Sequence, residues 1–177
     1  SRGIAREGEA GAHSMTWTSR FGSVVAAGFD AGTADGMNEK GLVANLLYLT
    51  ESEYVTPSDK DPRKTLSISL WAQYALDNFA TVADEVAALS KDEFYVVTTL
   101  TPDGKPGQLH LSISDASGDS AIFQYVDGKL QIHHDRSYQV MTNSPVFDKQ
   151  LALNEYWEEI GGLTMLPGTN RSADRFA

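Results

Sequence analysis

Thr142-Asn143-Ser144-Pro145 puts a side-chain amide, two hydroxyls and a proline in four consecutive positions. An amide held at a corner between a strand and a helix is well placed to donate a hydrogen bond into a cleft. The approach, Tyr138-Gln139-Val140-Met141, reads as a buried strand, and Pro145 would end its ladder because it has no N–H to give. Residues 146–160 then carry Phe147, Leu151, Tyr156 and Ile160 on one helical face. An asparagine at such a corner serves equally well as a turn or cap residue. Spacing alone leaves both roles open.

Other chemistries are excluded by what is missing. The chain has no cysteine, which removes a thiol nucleophile, disulfides and thiolate metal sites from these residues. Its four histidines are His13, His110, His133 and His134, and none stands in an HExxH or HxH arrangement with carboxylates at ligand spacing. His133 and His134 alternate across a strand, so they face opposite sides and are poorly placed to share a metal. No metal site and no cofactor is read. Trp71 and Tyr74 lie at a spacing that suits either a pocket wall or a helix core, and core is the commoner use.

The elements that must position Asn143 follow from patterning. The chain of 177 residues is long enough for one domain. A hydrophobic share of 41% and a charged share of 21% are ordinary for a globular protein. No apolar run approaches the roughly 20 residues that cross a bilayer, so no membrane span is expected. A net charge of −10 argues against a nucleic-acid partner. Residues 1–12 read as a charged, Gly-rich loop with no signal-peptide core. Residues 15–29 are rich in β-formers with a bend at Gly22, Asp35-Gly36 and Asn38-Glu39-Lys40-Gly41 signal turns, and residues 42–49 suit a strand covered on both faces.

Residues 50–64 read as a surface connection with Pro57 and Pro62. A helix is expected over 66–79, capped by Thr65, and a second to Leu89, capped by Thr81. Strands follow at 94–100, 109–114, 121–126 and 130–133, the last two joined by Asp127-Gly128, a dipeptide suited to a type I′ hairpin. Successive hairpins with helices outside them make an α+β arrangement of antiparallel sheets. There is no repeat and no second domain.

Four stretches together carry a family resemblance. Trp17-Thr18-Ser19-Arg20-Phe21-Gly22-Ser23-Val24, Asp35-Gly36-Met37-Asn38-Glu39-Lys40-Gly41-Leu42, Met141-Thr142-Asn143-Ser144-Pro145, and Leu166-Pro167-Gly168 through Asp174-Arg175-Phe176 stand in order. They resemble the recurring motifs of the choloylglycine hydrolase family, which holds penicillin V acylases and bile salt hydrolases. Trp71-Ala72-Gln73-Tyr74, Asp77-Asn78-Phe79-Ala80-Thr81-Val82 and Gly118-Asp119-Ser120-Ala121 draw the resemblance toward the penicillin V acylases of Gram-negative bacteria.

The resemblance implies an N-terminal-nucleophile amidohydrolase with a four-layer αββα sandwich, working without a cofactor on a small-molecule acyl-amide. In that family a first-residue cysteine attacks and its own α-amino group is the base, a fitting role for an amine of reference pKa about 7.7–8.0. Asn143 matches the family's oxyanion-hole side chain, Tyr48 the residue whose backbone N–H is the second donor, and Arg175 the arginine beside the nucleophile. The family's cysteine, and the arginine and aspartate shortly after it, have no counterpart here. Residues 1–177 are therefore expected to be a single partial domain of a longer enzyme, inactive alone. A catalytically dead binding or assembly protein is the alternative of another class. Tyr48 stands where bile salt hydrolases carry asparagine, which favours penicillin V or an N-acyl homoserine lactone over a bile salt. A homotetramer and a periplasmic address are further implications of the resemblance.

Overall fold

The structure is a computed structural model that describes residues 2–157 except 12, 30, 31, 59, 102 and 103. In chain order its elements are β1 (Ala5–Glu7), β2 (Thr16–Thr18), β3 (Ser23–Gly28), β4 (Gly32–Asn38), β5 (Val43–Tyr48) and β6 (Lys64–Ser67). A 3-10 turn (Ile68–Leu70) leads into α1 (Trp71–Asn78) and α2 (Val82–Leu89). Then come β7 (Phe94–Val97), β8 (Leu109–Ser114), β9 (Ser120–Val126), β10 (Lys129–His134) and α3 (Phe147–Trp157).

The main sheet has six antiparallel strands in the order β10-β9-β8-β5-β4-β3. Because partners in register share a face, Gly36, Ala44, Ile113 and Ala121 line up on one side, as do Leu46, Leu111, Phe123 and Ile132. That face packs beneath α1 and α2, and Trp71, Ala75, Leu76, Leu111, Ile113 and Phe123 are fully buried there. Tyr74 joins the same core edge-on to Trp17 and Phe94, each at 5.2 Å. The opposite face carries Asp35, Asn45, Ser112 and Ile122 in one row and Leu47, His110 and Gln124 in the next. The α+β reading holds.

Several local expectations are corrected. Asp35-Gly36 is no turn but lies inside β4. Gly36 is there because a Cβ would sit 2.7 Å from Leu76 Cδ1, so its absence lets α1 close onto the sheet. The next signal is a true turn: Asn38 Oδ1 accepts from the Lys40 and Leu42 N–H groups, while its Nδ2 donates to Leu76 O and Phe79 O at the end of α1. Residues 66–79 are not one helix. Lys64–Ser67 pairs in parallel with β7, and Ser67, not Thr65, caps the turn that follows. Residues 1–12 hold a strand after all, since β1 pairs with β2. In strand β5 only Ala44 is buried and the other residues are partly open or exposed, so it is not covered on both faces.

The largest correction concerns the approach to Asn143. Residues 138–145 form no strand. The chain leaves β10 at His134, turns with Ser137 N–H on Asp135 Oδ1, and crosses the face opposite α1 and α2 with Val140 75% exposed. Tyr138 finds its apolar contact on the Phe147 ring, 4.9 Å away, which a ladder would not supply. The Asp127-Gly128 hairpin is as expected, with φ of 50° and 69° at its two central residues. Thr81 caps α2 through Asp84 N–H, and Asp115 Oδ2 takes the Val82 N–H beside it.

Candidate functional site

Tyr48 ends β5, and ladder alternation fixes where its backbone points. Leu49 N–H donates to Gln108 O at 2.8 Å, so Tyr48 and its partner Leu109 form the next, non-hydrogen-bonded pair. Leu109 agrees: its N–H and C=O turn away from β5 to the Tyr54 and Ser52 hydroxyls. Tyr48 N–H accordingly faces away from β8. On that flank β4 pairs only with Val43–Asn45, and no described group accepts from the Tyr48 N–H. The Tyr48 side chain is 49% exposed, with its hydroxyl 3.4 Å from Gln108 Oε1. Gln108 Nε2 in turn donates to Thr50 O at 2.6 Å.

The Asn143 loop is held at this same end of the sheet by side chains rather than by a ladder. Ser144 Oγ accepts from Thr50 N–H at 3.1 Å, lies 3.1 Å from Thr50 Oγ1, and donates to Glu51 Oε2 at 2.7 Å. From α3, Gln150 Oε1 accepts from Thr142 N–H at 3.0 Å. Gln150 Nε2 reaches Asn143 O at 2.8 Å and Pro145 O at 2.6 Å, with Thr142 O farther at 3.2 Å. The start of α3 is pinned too, with Phe147 N–H on Gln124 Oε1 of β9 at 3.2 Å. Asn143 itself is exposed, and its side-chain amide bonds to no described group.

Under this loop lies His110, fully buried on β8 opposite Leu47. Burial pushes its ring down to about 4, and neither nitrogen meets hydrogen-bond geometry although the Thr142 backbone and Gln124 side chain come near enough to oppose that shift. The imidazole is therefore neutral near pH 7 and acts as packing beneath Thr142. Beside the loop, residues 138–141 wall a trough of about 560 Å³ that also meets Asp35, Asn45, Leu47, Ser112 and Ile122. His133 and His134 do face opposite ways: His133 meets Gln124 and His134 meets Asp119. Among the described residues no three His, Asp or Glu side chains gather at metal-binding distance, and no helix is long and apolar enough to cross a membrane.

The sequence profile of the linear amide C–N hydrolases, choloylglycine hydrolase family, matches residues 14–177. This chain belongs to that family. It is 55% identical to a penicillin V acylase of Pectobacterium atrosepticum over 179 residues, covering 98% of this chain and 48% of that protein. It is 34% identical over 125 residues to a bile salt hydrolase/transferase of Clostridium perfringens, covering 70% of this chain and 37% of the relative. Among solved structures, a penicillin V acylase from Agrobacterium tumefaciens superposes with a TM-score of 0.84 at 59% identity, over 99% of this chain and 52% of that one. A variant of the conjugated bile acid hydrolase from Clostridium perfringens gives 0.72 at 25% identity, over 99% and 60%. The chain thus spans about half the length of the penicillin V acylases it matches.

Of the three site residues drawn from the family resemblance, two come to one end of the main sheet, Tyr48 on a strand and Asn143 on the loop clamped beside it. Arg175 lies outside the described residues, as do Leu166-Pro167-Gly168 and Ile160. Sequence reasoning misses Ser144, Gln150, Gln124 and His110 as the groups that support the loop. Ser144 stands in the motif and is open to suspicion. Gln150 is not, because a polar residue near the start of a helix carries no mark of which way its amide turns.

Proposed function

We propose that these residues form the oxyanion-binding part of an amidohydrolase that cleaves the acyl side-chain amide of penicillin V or of N-acyl homoserine lactones. One observation carries the reading: two N–H donors without a partner among the described residues, from Tyr48 and Asn143, at one end of a sheet, linked through the Ser144–Thr50 hydrogen bond. In the reaction a nucleophile attacks the scissile carbonyl carbon and the C=O electron pair moves onto oxygen. The two N–H groups receive that charge, each donor of this kind being worth about 2.7–4 kcal/mol. Collapse of the tetrahedral centre expels the amine, and water then hydrolyses the acyl-enzyme.

The family resemblance supplies a cysteine as nucleophile and its α-amino group as base. Residues 1–177 hold no cysteine, so in this reading the nucleophile is contributed from outside them. Arg175 stands beside it in the proposal, its fixed cation favouring the thiolate. A single partial domain of the four-layer type, a homotetramer and a periplasmic address belong to the same proposal and rest on the resemblance alone.

The relatives point to two acyl classes, penicillin V and bile salts. Tyr48 supports the first: its ring adds apolar, half-exposed surface at the place where, by the family resemblance, bile salt hydrolases carry asparagine. The test is a substrate panel on the natural gene product that contains these residues: penicillin V, an N-acyl homoserine lactone and a glycine-conjugated bile salt. The expected order of kcat/KM puts either of the first two above the bile salt by tenfold or more, roughly 1.4 kcal/mol of discrimination. A bile salt turned over fastest would overturn the substrate assignment, and turnover of none would overturn the enzyme.

A further inference from the structure

We propose that Gln150 is the positioning residue for the Asn143 amide, acting on the reaction through Asn143; this rests on the oxyanion reading above. The loop that carries Asn143 has no ladder to hold it, since residues 138–145 form neither strand nor helix. Its backbone polar groups are instead collected by one side chain. Gln150 Oε1 takes the Thr142 N–H, and Gln150 Nε2 gives to Asn143 O and Pro145 O, with Thr142 O at the edge of reach. These bonds bracket Asn143 on both sides and include its own carbonyl.

Both ends of the amide are used, so no other side chain of this size fits. A glutamate at 150 keeps an acceptor for Thr142 N–H but cannot donate to Asn143 O or Pro145 O, and places a charge against both carbonyls. A methionine keeps the volume and makes none of the bonds. Gln150 is itself on a fixed base, because the first residue of α3 is tied to Gln124 on β9 and its ring lies 4.9 Å from Tyr138. Ser144 holds the outer edge of the loop to Thr50 and Glu51, so the loop keeps its attachment to the sheet when Gln150 is changed. What changes is the direction of the Asn143 side chain, and a misplacement of about 1 Å in a catalytic group costs on the order of 10²-fold in rate.

The experiment is a double-mutant cycle in the natural gene product that contains these residues, with penicillin V as substrate. Gln150→Met is expected to lower kcat by roughly 10–100-fold with KM within about threefold, the pattern for a group felt mainly in the transition state. In an Asn143→Ala background the same change is expected to cost less than about threefold, since the group it positions is gone. Gln150→Glu, which keeps size and one hydrogen bond, is the second variant should Gln150→Met fail to accumulate folded protein, and the same non-additivity is expected of it. Equal losses in both backgrounds, or a normal kcat in Gln150→Met, would overturn the positioning role while Asn143→Ala remained damaging. A silent Asn143→Ala would instead overturn the oxyanion reading, and the role of Gln150 with it.

Discussion

Ser144 Oγ accepts the Thr50 N–H at 3.1 Å, which ties the residue after Asn143 to the residue two beyond Tyr48. The same hydroxyl donates to Glu51 Oε2 at 2.7 Å, a charge-assisted bond and the shorter of the two. The two proposed donors, from segments ninety-odd residues apart in sequence, are thereby set on one base. Ser144→Ala is expected to lower kcat roughly 3–10-fold, about the value of one net hydrogen bond of 0.5–1.5 kcal/mol, with KM nearly unchanged. Steady-state kinetics on penicillin V check this, and an unchanged kcat would mean that the loop keeps its place without the tie.

A second prediction concerns the layer behind the site. Asp77 in α1 is 1% exposed and gathers Trp17 Nε1 at 2.8 Å, Gln73 Nε2 at 2.9 Å and the Arg6 guanidinium at 2.7 Å. Arg6 Nε meets it at ion-pair distance but off the hydrogen-bond direction. One carboxylate thus pins both strands of the small β1–β2 ribbon to α1, the helix packed on the main sheet. Asp77→Ala leaves a cation and two donors without their partner, and a loss of about 3–5 kcal/mol of stability is expected from a broken buried pair. Urea unfolding measures it; a loss below about 1 kcal/mol would show that water replaces the carboxylate.

Glu85 in α2 gives a pH prediction with a definite sign. It is fully buried and neither carboxylate oxygen has a hydrogen-bond partner among the described residues. Burial pushes it from the ordinary 4.5 up to about 8. The folded state therefore keeps a proton that the unfolded chain gives up above 4.5. The stability held by this group is complete below 4.5 and is lost as pH rises toward 8, at up to about 1.4 kcal/mol per pH unit. His110 acts the other way between about 4 and 6.5, its burial costing stability as pH falls through that range, so the clean window is pH 6.5–8. Glu85→Gln should flatten the profile there. Parallel unfolding profiles for the two proteins across that window would sink the idea.

Elements with one periodicity and one partner are legible in the sequence. The Asp127-Gly128 hairpin, the Thr81 cap and the antiparallel strands around them follow from local chemistry that the tertiary fold does not override. Residues 66–79 mislead because Leu66 and Leu70 keep helical spacing whether or not the first turn is helical, and the parallel pairing with β7 is non-local. Gly36 mimics a turn residue because its purpose is the approach of Leu76, forty positions away. The Asn143 motif stands out in the sequence as a candidate site, yet its setting is not legible there. A run such as Tyr138-Gln139-Val140-Met141 looks like a buried strand until Phe147 is seen to take the place of a neighbouring strand.

The last prediction separates the two proposed donors by what each substitution removes. Asn143→Ala in the natural gene product deletes the donor itself, and kcat should fall roughly 10²–10³-fold, the range for one oxyanion donor. KM should move far less, because the ground-state carbonyl makes little use of that bond. The fold should survive, since the side chain is exposed and bonds to nothing described, while the loop backbone stays held by Gln150 and Ser144. Tyr48→Ala keeps the N–H that faces away from β8, so its direct effect on the oxyanion is small. It removes instead a half-exposed ring braced by Gln108, and the loss should appear in KM and in preference among acyl groups. Kinetics of both variants on penicillin V, with unfolding curves alongside, distinguish the cases. If Asn143→Ala left kcat within a factor of about three and lowered stability instead, Asn143 would be a turn residue of the kind asparagine fills in many loops. In that case the Tyr48 N–H, from which no described group accepts, would need another partner.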